Sequence, residues 1–96
     1  MHNDSILAAA TRAWGEDFQF SMVCEECSEL ILAIHHYRRG RCTIEELISE
    51  VADVQNVCRQ AAIILGEQAV ADAADMKMQR LKERITLNNP NWESEE

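Results

Sequence analysis

Residues 20–37 read Phe20-Ser21-Met22-Val23-Cys24-Glu25-Glu26-Cys27-Ser28-Glu29-Leu30-Ile31-Leu32-Ala33-Ile34-His35-His36-Tyr37. Apolar residues recur at Phe20, Val23, Cys27, Leu30, Ile34 and Tyr37 in alternating steps of three and four, the spacing of one stripe along an α-helix. A second stretch repeats the alternation through Ile44, Leu47, Val51, Val54, Cys58, Ala61 and Leu65. The connection at Gly40-Arg41-Cys42 is short, so the two helices are expected to run antiparallel. Nothing in the chain alternates as a strand would. The fold class is therefore all-α, with a central antiparallel helix pair.

The polar residues beside these stripes carry the chemistry. With Cys27 and Val51 in the first heptad position, Glu26 and Glu50 both fall at the seventh and Glu29 and Asp53 both at the third. Turning one helix end for end brings those flanks together, and equal heights pair Glu26 with Asp53 and Glu29 with Glu50. Like charges three or four apart on one helix repel by roughly 0.2–0.5 kcal/mol per pair. Such crowding is tolerated where a cation sits among the acids. Four carboxylates make an all-oxygen site suited to Mg²⁺, with Mn²⁺ as the alternative. A di-iron site would need Glu-x-x-His, and neither His35 nor His36 has an acid three residues before it. The competing reading is a solvated acidic face.

Glu25-Glu26-x-x-Glu29 followed by Glu50-x-x-Asp53 resembles the signature of the MazG-like, all-α nucleoside triphosphate pyrophosphohydrolases, whose relatives include dimeric dUTPases and dCTP pyrophosphatases. The resemblance spans residues 18–85. It implies a four-helix-bundle-like, oligomeric enzyme, a homodimer or a dimer of dimers, that cleaves (d)NTP between the α and β phosphates to NMP and pyrophosphate in nucleotide-pool house-cleaning. It implies Glu26, Glu29, Glu50 and Asp53 as Mg²⁺ ligands, with Glu25 or Glu29 orienting water. Lys77-x-x-Arg80-Leu81 is loosely similar to the family's basic helix, although Leu81 stands where some relatives carry an amide.

The formal charge of −8 argues against a nucleic acid polymer as partner, because that binding rests on Lys and Arg neutralising phosphates. No run of about twenty apolar residues would span a membrane, and the first residues do not follow a secretory pattern. A cytoplasmic address is expected. A chain of 96 residues buries too little surface to be robust alone, which favours an oligomer.

Taken in order, a first helix capped by Asp4 or Ser5 is expected through Trp14, a second from Glu16 or Asp17 to Arg38, and a third after the capping box Thr43-Ile44-Glu45-Glu46. Gly66 should end the third. A fourth runs from Glu67 to about Ile85. Residues 1–87 are expected to form one domain and 88–96 a frayed acidic tail.

On the fourth helix Lys77, Arg80 and Arg84 form a candidate phosphate-binding stripe, or a solvated basic face. Trp14 and Phe18, four apart, are candidates to stack on a base; the plainer reading is packing. Cys24-x-x-Cys27 suggests a zinc or redox pair, but it lies mid-helix in an all-helical chain, and reduced seam thiols fit better. Two rival functions follow: a non-catalytic acidic interaction module, and a thiol-based zinc or redox protein.

Overall fold

The computed structural model describes residues 2–95, and among them the fold is all-helical: α1 (His2–Trp14), α2 (Glu16–Arg38), α3 (Ile44–Leu65), α4 (Glu67–Asn88) and a short 3-10 helix (Trp92–Glu95). None of these helices is long and apolar enough to cross a membrane. The chain divides into two compact units, Met1–Ile64 and Leu65–Glu96, whereas the sequence suggested one domain over residues 1–87.

The α2–α3 turn follows from local chemistry. Gly40 takes φ +70, a left-handed conformation that costs a glycine little. Its N–H donates to the Tyr37 carbonyl at 3.0 Å and the Arg41 N–H to the His36 carbonyl at 2.7 Å, the paired bonds of a Schellman ending. Three residues later the capping box closes as the sequence predicts. The Glu46 N–H donates to Thr43 Oγ1 at 3.1 Å and the Thr43 N–H to Glu46 Oε1 at 3.2 Å. One helix is stopped and the next started within five residues, so α3 folds back along α2. Cys42 Sγ donates to the Ala33 carbonyl at 3.5 Å across that turn.

The start of α1 departs from expectation. Asp4 lies within the helix, and its carboxylate receives the Arg59 guanidinium at 3.1 and 2.7 Å. It ties α1 to α3 through a two-pronged ion pair, a long-range partner that local capping rules do not see. Gln60 Nε2 reinforces the tie, donating to the Leu7 carbonyl at 2.9 Å and to Thr11 Oγ1 at 3.2 Å.

Burial is the unusual feature. Among the described residues no hydrophobic side chain is buried, and the two buried residues, Gln19 and Gln60, are polar. The stripe residues Phe20, Val23, Cys27, Leu30, Leu47 and Val54 are only half-buried, and Ile34, Tyr37 and Val51 are exposed. Ile31, Leu32, Ile44 and Ile48 add further exposed apolar surface on α2 and α3.

In the second unit α4 has no buried residue. The tail, expected to fray, folds back on it: Trp92 Nε1 donates to Thr86 Oγ1 at 2.9 Å, Asn89 Nδ2 to Glu95 Oε1, and Lys82 Nζ lies 3.8 Å from Glu93 Oε1.

Candidate metal centre

Along α2 and α3 rising residue numbers meet falling ones, and the acids come together where the heptad register places them. Glu26, Glu29 and Glu50 each offer a carboxylate oxygen, all within 4.8 Å of one another. Glu26 and Glu29 stand one turn apart on α2, and Glu50 reaches across from α3. Oε2 of Glu26 and Oε2 of Glu50 are buried and have no hydrogen-bond partner. A buried carboxylate oxygen without a donor is costly, so such atoms are normally paired.

The electrostatics record that cost. Burial pushes the Glu26 carboxyl above its ordinary value of 4.5, and the charges of Glu29 and Asp53, a hydrogen bond shared with the Glu29 carboxyl, and the charge of Glu50 push it further. Burial likewise raises Glu50, with Glu29 and Asp53 adding to it. Asp53 thus lies on the same flank, although the group of three closes without it. No basic side chain contributes to either shift. The donor set is all oxygen and negatively charged, and fits a hard divalent cation.

Glu25 is exposed and stands outside the group of three. Lys77, Arg80 and Arg84 are exposed on α4, within the second unit. The four cysteines are free, and the one group of convergent metal-ligating side chains among the described residues contains none of them. Cys58 is exposed and Cys27 half-buried; desolvation raises the Cys58 thiol, and Cys27 beside it adds to the shift.

Two hollows flank the acids. Glu29, Ala33, His36, Cys42, Glu46 and Glu50 line one of about 210 Å³ towards the α2–α3 turn. The other, of about 300 Å³, lies towards Gly15 and is lined by Trp14, Phe18, Gln19, Met22, Val57 and Gln60. Trp14 and Phe18 meet as expected, their ring centroids 6.1 Å apart at 53°. They are 66% and 48% exposed.

Sequence reasoning passed over Gln19, Met22, Val57 and Gln60, yet the signal was present. Gln19 and Met22 stand one heptad before Glu26 and Glu29, and Val57 and Gln60 one heptad after Glu50 and Asp53. They occupy the same flank.

No family model, curated protein or solved structure matches the chain.

Proposed function

We propose that the chain is a Mg²⁺-dependent nucleoside triphosphate pyrophosphohydrolase of MazG-like type, with Mn²⁺ as the alternative ion. The observation that carries this reading is the pair of buried, partnerless oxygens, one of Glu26 on α2 and one of Glu50 on α3, in a group of three acids that Glu29 completes. A surface acidic face would leave those atoms in water. Acids held together without a counter-charge favour a bound cation over the non-catalytic rival, and the absence of thiols from the set favours it over the zinc rival.

Glu26, Glu29 and Glu50 would hold the ion, with Asp53 completing the set. Once bound, a divalent ion offsets the charge of the phosphate chain and lowers the pKa of its water. Glu29, the exposed member of the group of three, would take the proton of a water attacking the α-phosphorus, with pyrophosphate as the leaving group. The role of Glu25 rests on family resemblance alone. The assignment of Lys77, Arg80 and Arg84 to the β and γ phosphates rests likewise on the resemblance, and Trp14 and Phe18 would hold the base.

The working form is a homodimer or a dimer of dimers, arranged as a bundle. Its support is the uncovered apolar surface of the first unit: a groove of about 320 Å³ on α3, lined by Ile44, Leu47, Ile48, Val51, Ala52 and Gln55. A second copy would supply the missing side of the core.

A panel of nucleoside triphosphates with Mg²⁺, scored for pyrophosphate against orthophosphate, tests the reading. Monophosphate and pyrophosphate are the expected products. Diphosphate and orthophosphate, or no turnover with any triphosphate, would overturn it.

A further inference from the structure

Within the second unit α4 leaves an apolar face uncovered. None of its residues is buried, and a groove of about 400 Å³ runs along it, lined by Met78, Leu81, Ile85 and Trp92 with Asp75, Gln79 and Lys82. Ala71, Ala74, Met78, Leu81 and Ile85 follow one another in steps of three and four, so the groove lies along one stripe of the helix. The tail supplies Trp92 to its wall, where Nε1 donates to Thr86 Oγ1 at 2.9 Å. Lys77, Arg80 and Arg84 do not line the groove. At about 100° of turn per residue they fall on the far side of α4 from Asp75 and Lys82.

Charge along α4 is divided between its ends. Residues 67–76 hold three acids and no base, and residues 77–88 hold four bases and one acid. On the groove itself the division reduces to Asp75 and Lys82, two turns apart. A helix of the same sequence laid parallel on this face would set Asp75 against Asp75 and Lys82 against Lys82. Laid antiparallel, it sets Asp75 of each copy against Lys82 of the other, twice about one two-fold axis. The apolar residues then fall into matching layers, Ala74 against Ile85 and Met78 against Leu81, within about 3 Å of the height that aligns the charges. Small meets large at the outer layers, as interdigitating helices require.

Both charged residues are available. Among the described residues Asp75 has no hydrogen bond or ion pair. The Lys82 ammonium has Glu93 Oε1 at 3.8 Å, with both side chains more than half exposed, and keeps donors for a second carboxylate. The 22 residues of α4 extend about 33 Å, three heptads of stripe on which a second helix can lie.

We propose that α4 is a self-association surface: two copies of the chain pair through this groove with their α4 helices antiparallel, Asp75 of each facing Lys82 of the other. The contact is distinct from the α3 groove and does not depend on the catalytic reading. Where both contacts form, each copy meets two others.

Sedimentation equilibrium of the full chain bearing Ile48→Asp, from micromolar to millimolar protein, tests the contact with the α3 face removed from the measurement. That chain should dimerise. Asp75→Lys and Lys82→Asp, each added alone, turn both symmetry-related pairs repulsive and should weaken the dimer about 10-fold or more, the equivalent of about 1.4 kcal/mol. Asp75→Lys and Lys82→Asp combined in one chain should restore the dimer. An equimolar mixture of the two single variants should restore it too, because each then supplies the charge that the other lacks. Added salt should shrink the difference between single and double variants. A monomer throughout the concentration range, single variants that associate as tightly as their parent, or a double variant as weak as the singles would overturn the proposal. Triphosphate hydrolysis is scored separately: a chain that hydrolyses but shows none of this charge dependence sinks the α4 contact alone, and one that pairs by this charge code but hydrolyses nothing sinks the catalytic reading alone.

Discussion

Glu26 on α2 and Glu50 on α3 each bury one carboxylate oxygen that no donor meets, in a group with Glu29 whose oxygens lie within 4.8 Å of one another. Desolvation and repulsion act together there, and a cation would relieve both. Magnesium should therefore raise Tm in a saturable way, by linkage worth about 2.7 kcal/mol at a hundredfold excess over Kd. Differential scanning fluorimetry against Mg²⁺ and Mn²⁺ measures it.

Glu50→Gln keeps the shape and removes the charge. Turnover should fall on the order of 100-fold or more, because losing a direct ligand exceeds the usual effect of disturbing a ligand's neighbour. The metal-free variant should melt higher than the parent, and the magnesium-induced rise in Tm should vanish. Circular dichroism with a coupled pyrophosphate assay separates these effects.

The raised carboxyls of Glu26 and Glu50 fix the sign of the pH dependence. A carboxyl whose folded pKa lies above its unfolded value binds protons more readily in the folded chain, so the folded state is favoured as pH falls. Their contribution is fully present below 4.5 and is lost as pH rises through the elevated folded values. Metal-free protein should thus gain Tm as pH is lowered from neutral towards 4.5. Glu26→Gln should flatten that gain. The Arg59 guanidinium holds Asp4 below its ordinary 3.8, so that contribution persists above 3.8 and is lost only in more acid solution, outside this window.

Thr43→Ala removes the oxygen that caps α3. A loss of about 1 kcal/mol is expected, read as a lower urea midpoint with an unchanged slope. Nucleotide affinity should be unaffected, since the capping box lies at the turn and away from the aromatic hollow.

Exposed Ile48, 61% accessible on the α3 groove, is the residue on which to test self-association. Sedimentation velocity should show a dimer or larger species for the parent and a shift towards monomer for Ile48→Asp. An unchanged sedimentation coefficient would remove the second copy from the α3 face.

What the amino-acid order determined by itself was local or periodic. The three-and-four spacing of Phe20 to Tyr37 and Ile44 to Leu65 marks two helices, Gly40 and the Thr43–Glu46 box mark where one stops and the next begins, and equal heptad positions put the acids on one flank. Those outcomes depend on neighbours within a turn or two, which a single sequence displays. Tertiary structure alone decided that one carboxylate oxygen each of Glu26 and Glu50 loses its water, that Asp53 stands outside the group of three, that Asp4 pairs with Arg59 instead of capping α1, and that among the described residues the two buried ones are glutamines. Each depends on atoms brought together from distant segments, and solvent exclusion belongs to that assembly, never to one side chain.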